Sequence, residues 1–291
     1  MVVDGGDQAA GLFAGRRGLL YAVAYRVLGS VTEAEDVVQD AWLRWRRVDP
    51  AEVSDVPGYL VRVVTRLAID RLRSARVRRE RYVGPWLPEP MLTGPDIADG
   101  AVLADSVSTA MLFVLETLSP VERAVFVLSE AFGYGHAETA RFVGRSEVAV
   151  RQIAHRARRA VEARHRRYDT DEATRRRATE RFLAACTGGD LGPLIEVLAP
   201  DVTMISDGGG FTGAPQKPIH GRDLVARAIL VLSRRRPDDA YGRVVPVNGG
   251  PGVVLYADSG PVLAVTPHLV DGAIAMVQVV SNPAKLTGVA L

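Results

Sequence analysis

Two stretches of this chain carry arginines at the spacing that contact with a polyanion requires. Arg62, Arg66, Arg71, Arg73 and Arg76 recur within one run of helical pattern, and Arg151, Arg156 and Arg158 recur within another, beside Ser146, Glu147 and His155. A guanidinium neutralises phosphate and can also grip two acceptors on a guanine edge, which a lysine ammonium does not. From Arg44 to Arg81 eleven arginines stand against five acids, and from Arg145 to Arg167 eight stand against two. The net charge is only +2, and residues 182–291 are close to neutral. Two separate basic stretches suggest two contacts with one long polyanion. Only Lys217 and Lys285 are lysines. A GC-rich coding sequence would also favour arginine, so the clustering carries the argument and the count does not.

Other chemistry-bearing residues are sparser. Asp36, Gln39 and Asp40 fall at offsets of three and four and so share a helix face. Asp207, His220, Asp258 and His268 are the candidates for acid–base work in the C-terminal part, but no two of them form a recognisable pair. Asp207 in "SDGGG" and Asp258 in "DSGP" both read as turn residues. The single Cys186 excludes an intramolecular disulfide and a cysteine zinc site, and its apolar neighbours suggest a core thiol. Neither a metal nor a cofactor is expected. No apolar run approaches the ~20 residues of a membrane span, and no signal-peptide pattern opens the chain, so a cytoplasmic location is expected.

The elements that must position these residues are legible in outline. Residues 1–11 are acidic and Gly-rich and read as disordered. Leu12, Leu19, Leu20, Val23 and Val27 begin a helical pattern that Gly29 and Ser30 stop. "TEAE" (Thr32–Glu35) reads as the capping box of a second helix, and Pro57 as a first-turn residue of a third. The third carries Leu60, Val63, Val64, Leu67, Ala68 and Leu72 on one stripe. Pro85, Pro88, Pro90, Gly94 and Pro95 then forbid a regular helix. "SPVE" (Ser119–Glu122) starts a further helix. A short helix meets Gly144, and Ser146 caps a longer one with Val148, Ile153 and Ala157 inward and Arg151, His155, Arg156 and Arg158 outward. Two helices on a Gly-containing turn, the second basic, read as helix-turn-helix, although an ordinary αα-hairpin has the same pattern. After Tyr168 come helices, among them Ile219–Arg235, and then from Arg243 to Val280 β-rich runs broken by "NGGPG", "DSGP" and "VDG". That order reads as an α+β domain.

The helical blocks resemble regions 2 and 4 of bacterial sigma factors. "AEDVVQDAWLRWRR" is similar to that family's core-binding helix, "YLVRVVTRLAIDRLRSARVRRER" to its −10 helix, and "RQIAHRARRAV" to its recognition helix. With no room for an extra domain between them, the resemblance is to the extracytoplasmic-function (group IV) class. The tail resembles a SnoaL-like domain of the nuclear-transport-factor-like cone fold, and "GPWLPEP" is similar to text of the SigJ-like subgroup. The resemblance implies a multidomain fold: two all-α sigma domains, a region 2 helical bundle and a region 4 helix-turn-helix, followed by an α+β cone domain. The implied segments are 12–82 for region 2, 83–105 for a Pro-rich linker, 106–168 for region 4 and 169–291 for the cone.

The implied activity is promoter recognition and transcription initiation with RNA polymerase core, without enzymatic turnover. Asp36, Gln39, Asp40 and Leu43 would meet the β′ clamp helices, with the β flap as a further contact. Arg62, Arg66, Arg71, Arg73 and Arg76 would serve the −10 element, beside a base-capturing loop over 49–56. Ser146, Glu147, Arg151, His155, Arg156 and Arg158 would serve the −35 element. The tail would regulate in cis, with no separate anti-sigma protein. Tyr82, Trp86 and Leu87 are expected to pack on region 2 or on the cone, together with Asp207 and Asn282. Relatives carry "DGGGK" and "NPDKL" where this chain has "DGGGF" (Asp207–Phe211) and "NPAKL" (Asn282–Leu286), so an ionic contact carried over from the family at those two spots is in doubt. Two other readings stay open: a ligand-sensing helix-turn-helix regulator, and a SnoaL-like isomerase or cyclase fused to a DNA-binding segment.

Overall fold

The computed structural model describes residues 5–79, 82–93, 109–163 and 171–291. They fall into two compact units. One holds residues 5–79 and 111–163; the other holds 82–93, 109–110 and 171–291. The stretch after the first basic helix therefore belongs, up to Thr93, with the C-terminal domain. The expected region 2 and linker segments end in part outside the described residues.

The first unit is all helical. Helix α1 (Gly5–Ala14) corrects the expectation of disorder for residues 5–11, residues 1–4 lying outside the described ones: Ala9 and Phe13 are buried, and the Trp45 indole donates to the Ala9 carbonyl at 2.9 Å. Helix α2 (Arg17–Leu28) ends at Gly29, whose φ of 69° is left-handed and favours glycine. Ser30, and not Thr32, caps α3 (Val31–Trp45), accepting from the Glu33 amide, so "TEAE" lies inside the helix. Helix α4 (Val56–Arg79) takes Pro57 in its first turn, where no amide is needed. Leu20, Val23, Val27, Val37, Val38, Ala41, Leu60, Val64 and Leu72 bury the faces on which α2, α3 and α4 meet.

Helices α5 (Thr109–Leu115) and α6 (Pro120–Phe126) follow. The Ser119–Glu122 capping box is present with both reciprocal bonds, and α6 runs on into one π turn, Val127–Ala131. Helices α7 (His136–Val143) and α8 (Glu147–Glu162) flank Gly144 at φ 68°. Their shared core is Val125, Ala140, Val150 and Ala154. Val148, expected to point inward, is 66% exposed; the inward stripe of α8 is Val150, Ala154, Ala157 and Val161. Ser146 caps the helix start, and a three-residue step from Val150 to Ile153 and Ala154 sets the stripe, which leaves Val148 on the outer face.

The second unit is α+β. Helices α9 (Glu172–Gly188) and α10 (Leu191–Val197) precede β1 (Leu198–Asp207). The short β2 (Ile219–His220) leads into α11 (Arg222–Arg234), so the helix expected from Ile219 begins three residues later, after Gly221. Then come β3 (Tyr241–Val247), β4 (Gly250–Ala257), β5 (Gly260–Val270) and β6 (Ala273–Val280). The sheet order is β2-β1-β6-β5-β4-β3, antiparallel except for β1 beside β6. Phe182, Leu194, Val225 and Ile229 pack from the helices onto Val202, Met204, Val253, Val265, Val277 and Val279 of the sheet. Residues 82–93 run along this unit as a strap. Leu92 bridges to Val247, its amide donates to Gly288, and the Thr93 amide donates to Pro246. The segment lacks helix because of its prolines, yet the Leu87, Met91, Leu92 and Thr93 amides are paired, as buried backbone must be.

Candidate nucleic-acid interface and linker clamp

Helix α3 carries Asp36, Gln39, Asp40 and Leu43 at helical spacing, and all four are exposed. Asp36 pairs with Arg71 of α4. Leu43, 41% exposed, adds an apolar end to an acidic face. Such a surface suits a partner with basic and apolar groups in register.

Helix α4 holds the first basic set. Arg62 lies over the Tyr59 ring at 5.1 Å, and Arg73 pairs with Asp70 at 2.9 Å. The Arg66 guanidinium donates to the Phe142 carbonyl at 3.2 Å and to the Arg141 carbonyl at 3.4 Å. Arg76 lies in α4, but its side chain falls outside the described residues. The loop before α4 is shaped by Asp49, which accepts from Ala51, and Asp55, which accepts from Gly58. It borders an open cavity of about 770 Å³ lined by Glu52, Asp55, Tyr59, Arg62, Arg141 and Phe142, among others. An aromatic ring, a guanidinium and carboxylates are groups that can stack on and hydrogen-bond an unstacked base. One wall of this cavity is α7 of the helix-turn-helix.

A buried ion pair joins the two helical halves. Glu116 lies between Arg79 of α4 and Arg123 of α6, which bind its two carboxylate oxygens. Arg79 also donates to Leu28 and Arg123 to Arg26. Burial alone would raise the Glu116 pKa; Arg123 and Arg79 outweigh it and hold the carboxyl below its usual range. Sequence patterning missed this group, because Glu116 interrupts no apolar stripe. The only cue was an arginine, Arg123, inside a strongly apolar run.

On α8 the second basic set is presented outward. Ser146 Oγ accepts from the Ala149 amide, so its first role is a cap. Arg151 pairs with Glu147 at 3.0 Å, Arg156 with Glu122 at 3.6 Å and Arg158 with Glu130 at 2.6 Å. His155 is exposed. Surface pairs of this kind are worth less than ~1 kcal/mol, so each arginine can exchange its carboxylate for a phosphate or a base edge.

In the second unit Tyr82, Trp86 and Leu87 converge on Asp207. This residue is not in a turn, as "SDGGG" suggested: it ends β1, opposite Val280, and is fully buried. Tyr82 Oη donates to its Oδ1 at 2.5 Å, and the Leu87 amide donates to its Oδ2 at 2.8 Å. Lys285 Nζ donates to Oδ2 at 2.6 Å and to the Leu87 carbonyl at 2.7 Å, and sits 3.0 Å from the Trp86 ring centroid. The ammonium thus meets an anion, a carbonyl and an aromatic face. Asn282 Nδ2 donates to Tyr82 Oη at 2.8 Å. Burial first, and then the bond to Asp207, push the Tyr82 phenol well above its ordinary pKa. A Cβ at Gly209 would collide with the Asn282 amide and crowd Tyr82, so the glycines after Asp207 let the strap approach. The ionic contact here is a different one, between Asp207 and Lys285, while Phe211 and Ala284, at the altered positions, are exposed.

The acid–base candidates do not assemble. Asp207 is committed to the strap, His268 meets Gln278 at 2.9 Å, His220 meets Thr203 at 3.1 Å, and Asp258 stands at the β4–β5 turn.

The Sigma-70 region 2 model matches residues 12–78, and the Sigma-70 region 4 model matches residues 108–161. The chain is 39% identical to the ECF RNA polymerase sigma factor SigJ of Mycobacterium tuberculosis, over 92% of this chain and 90% of that one. The chain belongs to the extracytoplasmic-function RNA polymerase sigma factors. A probable ECF sigma factor SigI of the same species is 33% identical over 96% of this chain and 95% of its own. The crystal structure of M. tuberculosis SigJ superposes with a TM-score of 0.76 at 33% identity, covering 96% of this chain and 98% of that one. This sigma factor is thus a transcription initiation factor and not an enzyme, with an α+β domain after its two helical regions. No helix among the described residues is long and apolar enough to cross a membrane.

Proposed function

We propose that this sigma factor brings RNA polymerase core to promoters through three surfaces, and that its C-terminal domain limits the process in cis. Asp36, Gln39, Asp40 and Leu43 on α3 contact the β′ clamp helices, and region 4 contacts the β flap. Arg62, Arg66, Arg71, Arg73 and Arg76 neutralise the backbone at the −10 element, and an unstacked base enters the Tyr59–Arg62 cavity. Arg151, His155, Arg156 and Arg158 read and grip the −35 element, with Ser146 and Glu147 at the start of the helix. The exposure of Arg66 and Arg73 on one basic helix and of Arg151, His155, Arg156 and Arg158 on the other, with Arg62 and Arg71 half-buried, supports the reading.

The two elements lie ~25 base pairs apart, or ~85 Å of duplex. In the free chain α7 walls the −10 cavity, Arg66 bonds to α7, and Glu116 joins α4 to α6. Binding both elements at once requires those contacts to open. The strap at 82–93 leads away from α4 and is held by Asp207, Asn282 and Lys285, which restricts the freedom that opening needs. The cone therefore does in cis what a separate anti-sigma protein would do, and none is required. The carrying observation is the buried Lys285–Asp207 pair gripping Leu87. Run-off transcription with purified core tests the three surfaces. Asp36→Lys should lose core binding, while Arg151→Ala should keep core binding and lose −35-dependent output. Loss of both properties in both variants would refute the division of roles.

A further inference from the structure

Val148 of α8 is 66% exposed, on a helix whose apolar stripe, Val150, Ala154, Ala157 and Val161, is buried on the far side. It is the second residue of the helix, after Glu147 and the Ser146 cap. Arg151, Gln152 and His155 follow it at offsets of three, four and seven, which puts all three within about 60° of it around the axis. All three are exposed. Among the described residues, the Gln152 side-chain amide has no hydrogen-bond partner.

A lone exposed valine is ordinary on a protein surface, and a β-branched side chain adds nothing to an exposed helical turn. Local stability therefore does not ask for valine here. Its place inside the outward face of a basic helix, near the end that reaches base edges, gives it a chemical meaning. In the major groove every base pair presents hydrogen-bonding groups, and thymine alone adds an apolar one, its 5-methyl. An apolar side chain in that groove gains from a thymine and from no other unmodified base. A glutamine amide matches adenine, accepting from the N6 amino group and donating to N7. The two bases of one A·T pair show both features on the same edge. Side chains four apart on a helix have Cβ atoms about 5–6 Å apart, so one base pair can meet both Val148 and Gln152.

We propose that Val148 and Gln152 read one A·T base pair of the −35 element, Val148 through the thymine methyl and Gln152 through the adenine edge. The inference rests on the reading of α8 as the helix that enters the −35 major groove, and it names the base pair that two further residues specify there.

The test uses holoenzyme assembled from purified core and the full chain, on a promoter identified by start-site mapping, with affinity followed by fluorescence anisotropy. Deoxyuridine replaces each thymine of the −35 element in turn, which deletes only the methyl. At one position it should weaken wild-type binding about fourfold, as for one buried carbon group. Val148→Ala should show a similar loss on the natural duplex and no further loss with deoxyuridine at that position. Replacing the adenine opposite by 7-deazaadenine, which lacks the N7 acceptor, should weaken the wild type about fivefold and leave Gln152→Ala unaffected. Both positions are exposed, and equal melting temperatures check that the variants fold. Arg151→Ala is the control for the docking of α8. Sequence-selective loss in Arg151→Ala, with no thymine sensitive to its methyl, would overturn this inference and leave α8 in the groove. Deoxyuridine sensitivity that persists in Val148→Ala, or 7-deazaadenine sensitivity that persists in Gln152→Ala, would overturn it too. If Arg151→Ala and Val148→Ala both bound every duplex like the wild type, α8 would not be the reader and the inference would fall with that reading.

Discussion

Lys285 Nζ and Asp207 Oδ2 lie 2.6 Å apart with their side chains 3% and 0% exposed, 78 residues from each other in sequence. Between them they take both backbone polar groups of Leu87. A buried pair is stable only when every remaining donor and acceptor is satisfied, and here the strap supplies the missing partners. Removing one member leaves the other charge buried and alone. Lys285→Met should lower the stability of the C-terminal domain by about 3–5 kcal/mol, read from urea unfolding of the full chain. Adding Asp207→Leu to it should recover part of the loss, because the orphan charge goes too. A double variant as unstable as the sum of the two single ones would contradict this.

The pair Tyr82–Trp86 tests the strap side of the same contact. Their rings pack edge-on at 5.0 Å beneath the Lys285 ammonium. Trp86→Ala removes a large apolar face and a cation–π contact, and should cost about 3 kcal/mol. It should also raise hydrogen exchange at the Leu87 and Leu92 amides. Protection unchanged at both amides would show that the strap is held without Trp86.

Glu116 gives a pH dependence with a definite sign. Its folded pKa lies below the ordinary value of ~4.3, so its contribution is complete above that value and is lost as pH falls through the folded pKa. Contacts between α4 and α6 should therefore loosen in acid and not in base. Glu116→Gln should abolish this acid-dependent component of hydrogen exchange in α6. An identical acid profile in Glu116→Gln would assign the loosening to another carboxylate.

Region 4 predicts a split between two arginines of α8. Arg151, near the helix start, should read a base edge, so Arg151→Ala should cost about 1–3 kcal/mol at one −35 sequence and much less at others. Arg158, two turns further on, should contact phosphate, so Arg158→Ala should weaken all sequences alike and reduce the salt slope by about one. Fluorescence anisotropy across a set of −35 duplexes at several salt concentrations measures both. Equal behaviour of the two variants would remove the distinction.

Much of this was legible in the sequence, and the parts that were not share a cause. Ser119, Pro120 and Glu122 specify a helix start locally, and so do Gly144 and Ser146. The acidic face of α3 and the basic faces of α4 and α8 follow from spacing alone. Asp207 was misread because three glycines follow it; the strand partner that keeps it in β1 is Val280, far along the chain. Lys285 is one of two lysines in an arginine-rich chain, and nothing local in the sequence pairs it with Asp207. A compact ammonium fits between a carboxylate, a carbonyl and an indole face where a planar guanidinium does not. Glu116, in the turn after α5, and Arg123, in α6, give no local signal, because a buried ion pair is defined only once the helices meet. Val148 was placed inward by one step of helical phase.

The central claim is that the hold of Asp207, Asn282 and Lys285 on the strap limits initiation. Its most direct test is run-off transcription from one −10/−35 promoter with purified core, comparing the wild-type chain with the Asp207→Leu, Lys285→Met double variant at matched core binding. The account predicts more transcript from the double variant, because the strap is released while the three binding surfaces remain. Equal or lower output with core and promoter binding intact would contradict it.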